Sequence, residues 1–391
     1  MNEIDNVLTR GVGKIYPNKQ ALKKVLSGRR KIKLYQGFDP SMPSLHLGHL
    51  VGLIKLKQFQ DLGHQVIFLV GDFTGMIGDP TDKKATRQRL SRQQVLANAK
   101  NWQKQAGKIL NFSGKNPAQI KFNSKWNDRY TFKDIIEITA NFTVQQMLER
   151  NFFQQRLKEQ KPIYLHEFLY PVAQSIDCVE MGVDLEIGGS DQTFNMLAGR
   201  NLMKALKQKE KYVLTTKLLI DGQGEKAGKT SGNALFLNTP PDQMYGAVMA
   251  FSDEIVSLAF ELLTQVPLNK IEALKQELEP MIFKKRLALE IINLVHSSRE
   301  AEEAQVEFER VFQAGGLPGK VPVFDLNQKT VSLLELLKKT NLVASGSEAK
   351  RLIRQGAVEI NQRKIKDLKE IISLKKPVML KIGKKKFIKI K

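Results

Sequence analysis

Short continuous apolar runs alternate along this chain with stretches whose apolar positions recur every three or four residues. The run at 32–37 predicts a buried strand. Pro40 and Pro43 then forbid regular pairing and force an extended turn. Leu47, Leu50, Val51 and Ile54 follow at the spacing of one helix face, with Ser44 as the expected N-cap. A second run at 65–71 predicts another buried strand, and strand, helix, strand in this order is a βαβ unit of a parallel sheet. Further strands are expected at 119–123 and 183–189, with a long helical region at 132–161 between them. Residues 1–31 read as helical and basic, and 240–312 as helical.

The Gly- and Pro-rich stretch 313–322 is the clearest linker. Beyond it the spacing predicts short helices at 332–340 and 347–355. Gly356 stops the second, and Ser345 and Glu348 are placed for its capping box. Alternating strands around 357–360, 363–366, 377–382 and 386–390 complete a small helix-plus-hairpin module.

A chain of 391 residues is long enough for two or three domains, since one core rarely grows beyond roughly 250–300 residues. The single cysteine, Cys178, excludes an intrachain disulfide and a cysteine-based zinc site. No apolar run approaches the roughly 20 residues of a membrane helix, and the N-terminal residues lack a signal-peptide pattern. A soluble, cytoplasmic protein with no membrane partner is the expectation. The net charge of +22 implies an anionic partner, nucleic acid first among them. Residues 331–391 hold 17 Lys or Arg against 5 Asp or Glu, so more than half of the excess charge lies in the tail module. There Lys350, Arg351 and Arg354 share a helix face, and Lys384, Lys385 and Lys386 form a hairpin tip.

Candidate chemistry gathers where strands end. His46, Gly48 and His49 fall at a helix N-terminus just past the first strand. Free backbone N–H groups and the helix dipole make that a phosphate site, to which two imidazoles add donors; the plainer alternative is a pair of capping residues. The second strand runs into Gly71-Asp72-Phe73-Thr74-Gly75, and on to Gly78-Asp79-Pro80, either a ligand loop or a turn that needs glycine. Tyr170, Gln174 and Asp177 form a polar stripe at i, i+4, i+7 in an apolar helix: a solvated face or a pocket wall. The strand at 183–189 exits through Gly188 and Gly189 into Ser190-Asp191-Gln192. In the glycine-rich stretch after Ile220, Lys226 and Lys229 with Thr230 can close on a triphosphate or be ordinary surface lysines.

Taken together these residues resemble the tyrosyl-tRNA synthetases, a family of class I aminoacyl-tRNA synthetases, in their bacterial form. His46-Leu-Gly-His49 is similar to the family's first motif, and Lys226-Ala-Gly-Lys229-Thr230 occupies the place of the second, usually Lys-Met-Ser-Lys-Ser. The resemblance implies a Rossmann-like parallel-sheet catalytic domain over 1–220, a mobile lysine loop and helical domain over 221–320, and a small basic α+β RNA-binding domain over 331–391. It implies that Tyr35 and Asp177 bond the phenol of the substrate. Asp79, Tyr170 and Gln174 would hold its ammonium, and Gln192 and Asp191 its carboxylate end and the ribose. Gly37, Asp39, Ser41 and Gly48 would lie along the nucleotide. Thr193-Phe194-Asn195 stands where the family commonly has Trp-Gly-Asn, a pattern of one bacterial branch.

The activity so implied is tyrosine–tRNA ligation: tyrosyl-adenylate forms from tyrosine and ATP, then acylates tRNA(Tyr). A carboxylate nucleophile needs no general base, so catalysis is positioning plus charge stabilisation. His46 and His49 are expected on the phosphates, with Lys226, Lys229 and Thr230 on the departing pyrophosphate. No permanently bound cofactor is expected; Mg2+ would arrive with ATP. The family also implies a homodimer. A tryptophanyl enzyme, a non-catalytic RNA-binding protein on the same scaffold and another nucleotidyltransferase are the competing readings. Tyr35 with Asp177, the retained motif residues and the tail weigh against them.

Overall fold

The computed structural model describes residues 2–80, 90–220, 235–312, 321–340, 342–343, 345–383 and 386–391. They form two compact units, Met1–Glu302 and Glu303–Lys391. The first is built on a six-stranded sheet of β1 (Val12–Tyr16), β2 (Lys33–Phe38), β3 (Gln65–Val70), β4 (Gln119–Phe122), β5 (Leu185–Gly189) and β6 (Tyr212–Thr216), in the order β1-β6-β5-β2-β3-β4. Five strands are parallel and β1 pairs antiparallel with β6 at the edge. Leu34, Tyr35 and Phe38 of β2, and Val66 through Val70 of β3, are buried, as parallel strands covered on both faces require. The chain lays down β2, β3 and β4 in one direction, then returns to place β5 on the other side of β2. That reversal opens a crevice at the carboxyl ends of β2 and β5, where open α/β sheets bind ligands.

Local readings differ from the sequence at identifiable places. The stretch 1–31 is not wholly helical: β1 lies between the short helices Glu3–Val7 and Lys19–Leu26. As a half-exposed edge strand whose register shifts between Val12 and Ile15, it buries too little to leave an alternating pattern. β6 has no counterpart among the expected strands; it ends in Thr215 and Thr216, both buried, and the Thr215 hydroxyl accepts from the Lys14 N–H at 2.7 Å. The region 132–161 holds three helices, Phe132–Thr139, Val144–Leu148 and Asn151–Lys158. The hydroxyls of Thr131 and Thr143 each cap a helix N-terminus, and so restart the helix rather than continue it.

Residues 240–312 are helical as expected, in five helices from Pro241–Met249 to Ser298–Phe312. Phe260 stacks on Phe283 at 4.7 Å between two of them. Arg10 fastens this layer to the sheet: its guanidinium donates to the carbonyls of Phe260, Glu261, Thr264 and Val266 at the end of the Asp253–Leu263 helix. A cation there meets the negative end of the helix dipole.

The second unit has the sheet order β10-β9-β12-β13-β7, from β7 (Val323–Phe324), β9 (Val358–Ile360), β10 (Arg363–Ile365), β12 (Val378–Ile382) and β13 (Lys386–Ile390). A separate antiparallel pair joins β8 (Thr330–Ser332) to β11 (Ile371–Ser373). The helices Leu333–Lys339 and Gly346–Arg354 bury Leu333, Leu336, Leu337 and Ile353 against Val358, Leu380 and Ile390. Ser345 caps the second by accepting from the Glu348 N–H at 3.2 Å, and Gly356 ends it at φ +65°. Among the described residues no helix is long and apolar enough to cross a membrane.

Candidate active site

A cavity of about 330 Å³ opens at the crevice between β2 and β5. It is lined by Tyr35, Gly37, Asp39, Ser41, His46, Gly48, His49, Asp79, Tyr170, Gln174, Asp177, Asp191 and Gln192. Thus every candidate for the amino acid and the nucleotide that falls in described residues shares one cavity. Lys226, Lys229 and Thr230 lie outside the described residues. The chain is described again from Leu235, whose carbonyl accepts from the Leu47 N–H at 3.0 Å. Leu235 therefore lies beside the His46 turn.

His46, not Ser44, is the N-cap of the Leu47–Asp61 helix. Its Nδ1 accepts from the Gly48 N–H at 3.0 Å, and His49 Nδ1 accepts from the His46 N–H at 3.1 Å. The two rings stack at 3.8 Å. A capping box normally uses Ser or Thr with Glu; here imidazoles fill both roles. An accepting Nδ1 places each neutral ring's proton on Nε2, so each ring is a hydrogen-bond donor through that atom. Gly48 is needed by the ring itself, since a Cβ there would lie 2.8 Å from His46 Cε1.

At the far end, Asp177 is buried and accepts from Trp126 Nε1 at 2.8 Å, Asn127 Nδ2 at 3.0 Å and Asn123 Nδ2 at 3.1 Å. Two of these meet Oδ1 and one meets Oδ2, which leaves Oδ2 a lone pair for a ligand hydroxyl. Burial pushes this carboxyl up to about 8, against the pull of the three donors. The Tyr35 hydroxyl is buried without a hydrogen bond of regular geometry. Burial, and then Glu186 nearby, raises it well above the ordinary phenol range.

Between the two ends, Asp39 accepts from Thr74 Oγ1 at 2.6 Å and Tyr170 OH at 2.7 Å. Burial lifts its carboxyl to about 7, against those two bonds. Asp79 accepts from Gln192 Nε2 at 2.5 Å, and Asn195 Nδ2 holds the Gln192 amide oxygen at 2.8 Å. Gln174 Nε2 donates to Glu186 Oε1 at 2.9 Å. Arg150 stacks on Phe152 at 4.4 Å and Phe194 at 5.0 Å, close enough to Asp79 to feel its charge.

Asn123, Trp126 and Asn127, the partners of Asp177, escape the sequence reading, as does Glu186, whereas Thr74 falls in the glycine-rich exit of β3 already singled out. The signal was present: Asn123 follows β4 at its carboxyl end, the place where polar residues mark the other three exits. In the second unit Lys350, Arg351 and Arg354 are exposed on one face of the Gly346–Arg354 helix, opposite the buried Ala349 and Ile353. Lys384 and Lys385 lie outside the described residues, and Lys386 opens β13.

Residues 27–313 match the family model described as class I tRNA synthetases (W and Y). Residues 314–390 match that of the tyrosine–tRNA ligase SYY-like C-terminal domain. The chain is 42% identical to a tyrosine–tRNA ligase of Carboxydothermus hydrogenoformans, covering 98% of this chain and 96% of that one. It is 42% identical to one of Haemophilus ducreyi, over the same shares. In fold it is similar to a C-terminally truncated mitochondrial tyrosyl-tRNA synthetase of Aspergillus nidulans (TM-score 0.66, 22% identity, 79% of this chain and 94% of that one). It is similar too to a tyrosyl-tRNA synthetase of Archaeoglobus fulgidus complexed with L-tyrosine (TM-score 0.59, 17% identity, 78% and 100%).

Proposed function

The chain belongs to the class I tRNA synthetases of the tryptophan and tyrosine type and, within them, to the tyrosine–tRNA ligases, and on that premise we propose how its residues divide the work. The observation that carries the proposal is that Tyr35 and Asp177 line one cavity together with His46 and His49. Tyr35 donates to the phenol oxygen of tyrosine, and the open lone pair of Asp177 accepts a hydrogen bond from that phenol O–H. Asp79, Tyr170 and Gln174 surround the ammonium. The amide of Gln192, held by Asn195, orients the carboxylate end, and Asp191 takes the ribose.

ATP lies along Gly37, Asp39, Ser41 and Gly48, its phosphates on His46 and His49. The tyrosine carboxylate attacks the α-phosphorus as the bond to pyrophosphate breaks. Nε2–H groups of two stacked imidazoles, fixed by their own cap hydrogen bonds, stabilise the charge that develops without reorganising. Lys226, Lys229 and Thr230 receive the pyrophosphate, with Mg2+ entering as part of the ATP substrate. Next the ribose hydroxyl of tRNA(Tyr) displaces AMP.

The tail cations Lys350, Arg351 and Arg354, with Lys384, Lys385 and Lys386, hold the tRNA backbone. The chain works in the cytoplasm as a homodimer; the exposed apolar side chains of Phe132, Ile136, Val144 and Leu165 support a partner on this segment. We assign 1–220 to catalysis, 221–320 to the lysine loop and helical layer, and 331–391 to RNA binding.

Tyrosine-dependent exchange of pyrophosphate into ATP tests this partition. His49→Ala is expected to lower turnover while the KM for tyrosine holds, and Asp177→Asn to raise the KM for tyrosine while the KM for ATP holds. The reverse pattern would overturn the assignment.

A further inference from the structure

Lys211 stands immediately before β6, in the polar run Lys209-Glu210-Lys211-Tyr212. It is nonetheless fully buried, with no exposed side-chain surface, and forms an ion pair with Glu186 on β5, itself 2% exposed. The fold makes room for it. A Cβ at Gly199 would lie 2.9 Å from Lys211 Nζ and 3.0 Å from Cys178 Sγ, so glycine there is what lets the lysine pass beneath the Thr193–Lys207 helix. The Cys178 thiol is turned away as a donor, to the carbonyls of Ser175 at 3.1 Å and Gly199 at 3.2 Å. Burial alone would pull the Lys211 ammonium down; the neighbouring thiol and the Glu186 carboxylate outweigh it and leave it raised.

Lys211 does not line the cavity, whereas Glu186 and Gln174 do. Glu186 Oε2 faces the lysine, and its Oε1 accepts from Gln174 Nε2 at 2.9 Å. We propose that Lys211 is a positioning residue for the ammonium site: its ion pair fixes the Glu186 carboxylate, the carboxylate claims the amide nitrogen of Gln174, and the amide oxygen is thereby the atom offered to the substrate's ammonium. The proposal rests on the assignment of Gln174 to that ammonium.

An amide has one donor end and one acceptor end, and an ammonium can only donate. Without Lys211 the buried carboxylate loses its counter-charge and the contact that fixes it. The Gln174 amide is then no longer held and is free to turn its NH2 group against the ammonium. Methionine matches the unbranched lysine stem and fills the same passage.

The test compares tyrosine with 3-(4-hydroxyphenyl)propionate, the same molecule without the ammonium, by competition in pyrophosphate exchange. In Lys211→Met the preference for tyrosine is expected to fall by about 10-fold or more, the scale of one hydrogen bond to a charged group. The KM for ATP and the affinity for the propionate should hold. The double variant Glu186→Gln/Lys211→Met restores an uncharged acceptor for the Gln174 amide and should return the preference to near the parent's. Gln174→Ala checks the underlying assignment by itself. An unchanged preference in Gln174→Ala removes the ammonium assignment, and the proposal with it. A lowered preference there with no change in Lys211→Met overturns the proposal alone. If Lys211→Met does not fold, the double variant decides: a retained preference supports the proposal and a lost one overturns it.

Discussion

The Tyr170 hydroxyl donates to Asp39 across 2.7 Å, joining the Leu165–Met181 helix to the carboxyl end of β2. Thr74 holds the other carboxylate oxygen at 2.6 Å, and the glycine at 71 leaves both groups their space. Tyr170 thus touches the region assigned to the nucleotide as well as the one assigned to the ammonium. Tyr170→Phe is expected to lower kcat/KM for tyrosine in exchange by about 10–100-fold, the scale of a hydrogen bond to a charged group. Steady-state exchange against tyrosine concentration measures it.

Removing the Tyr35 hydroxyl should cost selectivity more than activity. Tyr35→Phe loses the donor to the phenol oxygen but keeps the buried ring. The preference for tyrosine over phenylalanine is expected to fall by about 10–100-fold. A hydroxyl-binding site rejects the analogue lacking it by roughly 10⁴–10⁵, a figure that itself comes from this enzyme family. Paired exchange assays with the two amino acids give the ratio.

His46 has two tasks that one substitution separates. Asparagine is among the best N-caps, so His46→Asn should keep thermal stability within about 0.5 kcal/mol of the parent. It loses the Nε2–H donor, so exchange turnover should fall by about 100-fold or more. Calorimetry and exchange on the same preparation distinguish the two.

Two carboxyls in the cavity give the ligand-free protein a pH signature. Burial raises Asp39 to about 7 and Asp177 to about 8, above their ordinary value of 3.8. Between those limits the folded state holds protons that the unfolded state releases. Their contribution is therefore fully present below about pH 4 and is lost as pH rises through 7 and 8. Thermal midpoints from pH 5 to 8.5 should fall less steeply in Asp177→Asn than in the parent.

The polar stripe of Tyr170, Gln174 and Asp177 is legible in the sequence because helical spacing sets three polar side chains on one side of an apolar helix. The two histidines are legible because the proline turn and the apolar rhythm fix where the helix starts. Lys211 is not, because Lys-Glu-Lys-Tyr reads as solvent-facing and only the glycine at 199, far away in the chain, reveals the passage. Nor are Asn123, Trp126 and Asn127, which reach Asp177 from the N-cap and turns of the four-residue helix Ser124–Asn127 just after β4. Parallel strands with continuous apolar runs announce themselves; the edge strand β1 and the threonine-ended β6 depend on each other and carry no pattern alone.

The tail should govern charging and not activation. Replacing Lys350, Arg351 and Arg354 together with alanine is expected to leave exchange unchanged and weaken tRNA binding. The slope of log affinity against log salt should flatten by about 2–3 if each contacts a phosphate. Filter binding over a salt series reads it.

The central claim is that this cavity activates tyrosine. Amino-acid-dependent exchange of labelled pyrophosphate into ATP, run with each of the standard amino acids in turn, tests it most directly. Exchange with tyrosine alone is the expected result. Exchange with tryptophan would contradict the assignment of Tyr35 and Asp177 to a phenol, and a folded protein that exchanges with none of them would contradict the claim itself.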